Sequence, residues 1–257
     1  MSKTTIVTAY FKLPQSKASH DKYTEWMQNM LMNNNPMIIF CDSSSVDQLQ
    51  EYRKDFLEIT KIIPIEFKDF YCYKYFPSFV NDYNTKDHER NHNPYLYLIW
   101  NEKTHFLKRA IEMNVFTSDY FLWVDIGCFR HPNIKYLKWP NPDKINPLDN
   151  NKILLNGVYP FTPEEYNCDH LNNLTDFKYI IGRICAAIFG GNSKTILKWH
   201  DIYYEMLEYF ININRFVGKD QNIMNSIAVI HKDIVQIINP DDFEHNDRWF
   251  ALQEYLS

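Results

Sequence analysis

Apolar and polar positions along the first 70 residues fall into blocks that switch between strand and helix periods. Thr5 to Tyr10 is a β-branched run that predicts a strand. From Ser19 to Met32 the side chains of Tyr23, Trp26, Met27, Met30 and Leu31 recur at helical spacing, and Pro36 to Cys41 predicts a short buried strand. Ser43 to Ser45 can cap a helix carrying Val46, Leu49, Tyr52, Phe56 and Leu57, and Lys61 to Phe67 predicts a third strand. A βαβαβ opening implies a parallel sheet with right-handed crossovers and ligands at the carboxyl ends of its strands.

Residues 68–93 start aromatic and turn polar without a clear period, which predicts a long loop. Tyr95 to Asn114 predicts a helix with Leu96, Ile99, Trp100, Phe106, Leu107, Ala110 and Ile111 on its buried side. Asp119 to Val124 predicts an apolar strand ending on Asp125-Ile126-Gly127, and the Pro- and Asn-rich stretch 130–151 predicts irregular chain. Strands follow at 152–155 and 184–189, helices at 193–210 and 220–230, and a strand at 234–238 ahead of a polar, aromatic tail. The expected fold class is α/β, and without a linker rich in Gly, Ser or Pro, residues 1–257 are read as one domain.

Composition narrows the chemistry. The 257 residues include only 6 glycines, all beyond residue 126, where average usage predicts roughly 18. Neither G-x-G-x-x-G nor a P-loop can be written on this chain, so a standard dinucleotide-binding or P-loop enzyme is excluded. A formal charge of −5 gives no electrostatic reason to expect nucleic acid as a partner. The N-terminus lacks the apolar core of a signal peptide, and no apolar run approaches the roughly 18 residues of a membrane span. Five widely spaced cysteines without a C-x-x-C pair read as reduced and intracellular, so a cytoplasmic location is expected.

Four segments could carry chemistry. Asp125, directly after a buried strand, sits where an acid can ligate a hard cation bridging phosphates, and Gly127 would let a diphosphate approach the backbone; a capping Asp and a turn Gly are the plainer account. Asp220 and Gln221 open a helix, where carboxylate, amide and backbone N–H groups can hold sugar hydroxyls, or Asp220 simply caps it. Gly190-Gly191 before Asn192-Ser193 predicts a strand-to-helix turn that brings backbone near a ligand. His88-Glu89-Arg90-Asn91-His92 formally matches H-E-x-x-H, but its polar flanks offer no apolar stripe to dock a zinc-binding helix. His245, in the polar tail, could fold back over a metal.

Taken together, these pieces resemble the HtrL/YibB family of bacterial and viral proteins, placed among GT-A-fold glycosyltransferases. The resemblance rests on Ile6-Val-Thr-Ala-Tyr-Phe11, Tyr23-x-x-Trp26, Pro36-Met-Ile-Ile-Phe40, Leu98-Ile-Trp-Asn-Glu-Lys103, Asp119 to Arg130, Phe189-Gly-Gly191 and Phe216-Val-Gly-Lys-Asp-Gln221, and so spans nearly the whole chain. It implies a GT-A-like, Rossmann-like mixed sheet flanked by helices, and a sugar moved from a nucleotide donor, UDP-sugar foremost. It implies Thr8, Ala9 and Tyr10 at the nucleotide, with Tyr10 or Phe11 stacking on the base, Asp42 accepting from uracil or ribose, and Lys103 facing the phosphates. Asp125 then matches the metal acid of Asp-x-Asp, Gly190 and Gly191 the acceptor-side glycine turn, and Asp220 and Gln221 the pair that contacts the donor sugar.

One position departs from the pattern: Gly127 stands where the second acid is expected, so a Mn²⁺ or Mg²⁺ ion would need His245 or Asp247 to complete its site. The expected activity is metal-assisted glycosyl transfer to a glycan, protein or lipid-linked acceptor. A non-catalytic nucleotide-sugar or glycan-binding protein on the same fold is the second reading. A zinc hydrolase using His88, Glu89 and His92 is the third.

Overall fold

The computed structural model describes residues 3–13, 19–87, 89, 91–166 and 182–257. Strands β1 (Thr4–Tyr10), β2 (Met37–Cys41), β3 (Thr60–Pro64), β4 (Tyr120–Val124), β5 (Ile153–Gly157), β6 (Ile184–Asn192) and β7 (Val235–Ile238) form one seven-stranded sheet in the order β3-β2-β1-β4-β6-β5-β7. β1 to β4 run parallel, β6 is antiparallel to both β4 and β5, and β7 is parallel to β5. The carboxyl ends of all strands except β6 therefore share one edge. The chain leaves β1 toward β2 and β3 and returns on its other side as β4, so the switch point of the topology lies between β1 and β4.

The helices are α1 (His20–Leu31), α2 (Val46–Tyr52), α3 (Phe76–Thr85), α4 (Pro94–Met113), α5 (Pro142–Ile145), α6 (Pro163–Tyr166), α7 (Ser193–Asn212), α8 (Asp220–Ile230) and α9 (Ala251–Tyr255). Local chemistry sets their starts. Asn93 accepts from the amides of Tyr95 and Leu96 ahead of Pro94 at the first turn of α4, and Asn192 accepts from Thr195 N at the start of α7. α4 stops at Asn114, which takes a left-handed conformation.

β1, β2 and β4 are buried along their whole length, as expected of strands covered on both faces. One face carries Val7, Ala9, Phe40 and Trp123 against Phe106 of α4, Trp199 of α7 and Ile223 of α8. The other carries Ile6, Tyr10, Ile39 and Val124 against Met27 and Leu31 of α1, Trp139 and Leu252 of α9. Phe106 stacks on Phe40 with centroids 4.3 Å apart, so its truncation to Ala would cost about 3–5 kcal/mol.

Two expectations are corrected. Residues 68–93 are not one loop: short turns at Phe67–Asp69 and Tyr71–Tyr75 lead into α3. These elements are held by partners far away in sequence. Glu102 of α4 accepts from the amides of Tyr71 and Cys72, both at 2.9 Å, and Asp82 of α3 accepts from Val217 N at 2.7 Å. Gly190 and Gly191 do not form a turn either. Both lie within β6, opposite Leu122 and Phe121 of β4. A Cβ on Gly190 would meet the Phe121 carbonyl oxygen at 2.1 Å, so a glycine is needed there for two strands to pair closely. The glycines at 157 and 182 likewise make room, for the Ile238 carbonyl and the Trp249 ring. Cys41, Cys72, Cys128 and Cys185 are free and buried, and Cys168 lies outside the described residues.

Candidate active site

Asp125 follows β4 at the carboxyl edge, beside the switch point. Its amide donates to the Ala187 carbonyl at 2.7 Å, and its Oδ1 accepts from Trp123 Nε1 at 2.7 Å. Lys103, on the buried side of α4, places its ammonium 2.9 Å from Asp125 Oδ1, 2.9 Å from Asp220 Oδ2 and 3.0 Å from the Ala186 carbonyl oxygen. Three elements thus converge: the middle of α4, the end of β4 and the first residue of α8.

The electrostatics follow from burial. The side chains of Lys103 and Asp220 are 3% and 5% exposed, while that of Asp125 is 35% exposed and forms the open face of the group. Burial alone would push the Lys103 ammonium toward its neutral form, but Asp125 and Asp220 outweigh it and hold the lysine charged. Burial raises the Asp220 pKa, opposed by Lys103. One cation between two carboxylates leaves a net charge of −1.

Tyr23 completes the floor of the site. Its ring covers Gly127, where a Cβ would lie 3.0 Å from Tyr23 Cε2, so the place of a second acid is occupied by an aromatic ring. Burial, with Asp125 next, raises the pKa of its hydroxyl. In the sequence Tyr23 stood out only as a helix-periodic position and as part of Tyr23-x-x-Trp26, with no site role assigned to it.

The other expected residues fall in different places. Thr8 is wholly buried in β1 with no hydrogen-bond partner for its Oγ1, and Ala9 packs on the α4 side. Tyr10 and Phe11 do not present a face to a base: the Tyr10 ring lies against Tyr23, centroids 6.3 Å apart, and Phe11 packs among Phe67, Phe70 and Phe106. Both are internal because the sheet edge here is covered by aromatic side chains from distant segments. Asp42 binds the amide of Lys12 at 3.0 Å and the hydroxyls of Ser44 and Ser45 at 2.5 and 2.9 Å. Burial would raise its pKa, and these bonds overcome that and keep it below the ordinary carboxylate value. Lys103 does not face outward toward phosphates, because its ammonium lies beneath Asp125. Gly190 and Gly191 pair with the middle and start of β4, away from its Asp125 end. Gln221 is half-buried beside Asp220, to whose Oδ1 its amide donates.

The residues around Asp125 fit a divalent cation in one way. Asp125 Oδ1 accepts from Trp123 Nε1 and lies 2.9 Å from the Lys103 ammonium, which also donates to Oδ2 at 3.2 Å, so a cation would bind Oδ2 on its open side and share it with the lysine. His245 lies with its Nδ1 3.1 Å from the Phe243 carbonyl of its own loop, and no cluster of three metal-ligating side chains among the described residues includes Asp125. The remaining ligands of such an ion would be phosphate oxygens and water, a usual arrangement for Mg²⁺.

A different cluster, Asp87, Glu89 and His92, does bring three ligand atoms within 4.8 Å of one another, while His88 lies outside the described residues. Asp87 Oδ2 is 2.6 Å from His92 Nδ1, and Asp87 accepts also from Tyr97 and the Glu89 amide. Glu89 pairs with Lys219, next to Asp220. The segment is tied down by hydrogen bonds and joins the start of α8.

Comparison with known proteins agrees with the fold. Mouse xyloside xylosyltransferase 1, in its apo crystal structure, superposes with a TM-score of 0.51 at 13% sequence identity, covering 92% of this chain and 85% of that one. The architecture is that of a GT-A-type glycosyltransferase fold. Protein HtrL of Escherichia coli (strain K12) is 25% identical over 281 aligned residues, 98% of this chain and 91% of that protein. The family described as bacterial protein of unknown function (HtrL_YibB) matches residues 2–252, and the chain belongs to that family.

Proposed function

We propose that this protein transfers a sugar from a nucleotide-sugar donor, a UDP-sugar foremost, to an acceptor hydroxyl. The observation that carries the reading is the Lys103 ammonium held 2.9 Å from both Asp125 and Asp220 at the topological switch point. In the reaction the bond from the anomeric carbon to the diphosphate breaks, so positive charge grows on the sugar and negative charge on the leaving group. The triad's net −1 charge is placed to face the sugar, and its oxygens can accept from sugar hydroxyls. Lys103 holds the two carboxylates in position and limits their mutual repulsion. Gln221 adds an amide at the same helix start. A divalent cation, when bound, would be held by Asp125 and neutralise diphosphate charge.

The Gly127 position favours a second reading, a protein on this fold that binds a nucleotide sugar without turnover. Incubation of the wild-type chain with a panel of nucleotide sugars, followed by detection of released nucleoside diphosphate, separates the two. Release above the uncatalysed rate is expected. Binding of the sugar nucleotides without release would establish the second reading instead. Among the described residues no helix is long and apolar enough to cross a membrane.

A further inference from the structure

Arg130 ends the loop that Asp125 begins, and its surroundings are built. The backbone before it is fixed by three bonds: Cys128 N to the Asp125 carbonyl at 3.0 Å, Asn29 Nδ2 of α1 to the Phe129 carbonyl at 3.0 Å, and Gln253 Nε2 of α9 to the Cys128 carbonyl at 2.8 Å. Phe129 is buried between Tyr136 and Trp139, so the loop cannot swing without opening that core. The guanidinium then stacks on two rings, 4.7 Å from the centroid of Trp26 and 4.6 Å from that of Phe250. Arg130 is nonetheless exposed: its backbone N–H donates to the Cys128 carbonyl at 3.1 Å, and among the described residues no carboxylate or carbonyl accepts from its guanidinium. A second cation, Lys22, approaches Trp26 at 5.7 Å.

A guanidinium held by aromatic rings keeps its N–H edge free, with its side-chain freedom already lost. That edge is the part that binds two oxygens of a phosphate at once. Placement supports the same use. Arg130 lies five residues after Asp125, and Trp26 packs with its centroid 6.3 Å from that of Tyr23, whose ring covers Gly127, so both adjoin the Asp125 loop.

We infer that Arg130 holds the diphosphate of the donor, fixed in place by Trp26 and Phe250 and assisted by Lys22. The inference rests on the glycosyl-transfer reading above. It assigns neutralisation of the leaving group to an arginine of the Asp125 loop, where the Gly127 position contributes no second acid. It also divides the charges of the site: the carboxylates of the triad face the sugar, and the cations of the loop and α1 face the phosphates. The same chemistry would recognise free pyrophosphate.

The test is calorimetric titration of the full chain and its Arg130→Ala and Arg130→Lys variants with UDP, uridine and inorganic pyrophosphate, in magnesium chloride. Arg130→Ala is expected to weaken UDP binding by roughly 10- to 100-fold, the range of one or two charge-assisted hydrogen bonds, and to leave uridine binding unchanged. Arg130→Lys should recover only part of the loss, because an ammonium cannot make the two-pronged contact. Thermal melting checks that the variants fold. Equal UDP affinity in wild type and Arg130→Ala would overturn the assignment and leave the donor reading standing. Pyrophosphate binding that is lost in Arg130→Ala, with no UDP binding by either protein, would keep the anion site and overturn the nucleotide reading. Binding of neither probe by the wild type would overturn both.

Discussion

The ammonium of Lys103 lies 2.9 Å from the carboxylate of Asp220, and neither side chain is more than 5% exposed. A buried ion pair joining the middle of α4 to the first residue of α8 ties the site to the fold.

Lys103→Met should therefore be costly out of proportion to its size. It leaves Asp220 buried beside Asp125 without a cation, and breaking a buried pair in this way costs about 3–5 kcal/mol. Urea denaturation at neutral pH measures it. A loss below about 1 kcal/mol would show that the carboxylates find other partners.

Asp125→Asn keeps the shape of the side chain and removes its charge. Turnover should fall by about 100-fold or more, the size of effect seen when a group that stabilises transition-state charge is removed. The protein should still fold, since Asp125 is the open member of the triad. Nucleoside diphosphate release and the melting temperature report the two effects separately, and an unchanged release rate would remove Asp125 from the mechanism.

Gly190 and Gly191 should behave differently although they are neighbours. An added Cβ meets backbone at 2.1 Å at Gly190, but nothing closer than 3.4 Å at Gly191. Gly190→Ala is expected to cost about 3 kcal/mol or more, because the β4–β6 pair must move apart, and Gly191→Ala less than about 1 kcal/mol. Comparison of their melting temperatures decides it. Similar values would mean that the close approach is relieved elsewhere in the sheet.

Stability should show two opposing pH slopes. Burial raises the Glu102 carboxyl from 4.5 to about 7 against the Cys72 and Tyr71 amides, so the folded state holds an extra proton there and stability falls as pH rises through that window. Burial, with the charge of His200 next, lowers His105 from 6.5 to about 3, so the unfolded state binds more protons and stability rises with pH up to 6.5. Between pH 4.5 and 6.5 the two offset each other. Glu102→Gln removes the falling slope, worth about 3 kcal/mol in full, and should expose a rise with pH in denaturant midpoints. A variant that keeps the wild-type profile would place the titration on other groups.

Much of this organisation was legible in the chain. Local pattern located the strands to within a few residues, and the α8 span was read with both ends in place because Asp220 opens an apolar run at helical spacing. An acid directly after a buried strand must emerge at the carboxyl edge, which is why Asp125 could be singled out. α3 and the turn before it were missed because their partners, the Val217 amide for Asp82 of α3 and Glu102 for the Tyr71 and Cys72 amides of the turn, act across the fold.

The sequence by itself determined the α/β class, the absence of a glycine-rich phosphate loop and the identity of Asp125 and Asp220 as candidates, since these follow from periodicity and residue type, while Lys103 was named only through the family resemblance. Only the tertiary structure decided that Lys103 turns inward to bridge two carboxylates, that Gly190 serves strand pairing, that Tyr23 covers Gly127 and that Arg130 lies between Trp26 and Phe250. Each of these depends on bringing together segments distant in sequence, and burial then fixes the partner, charge and direction of a side chain that local pattern leaves open.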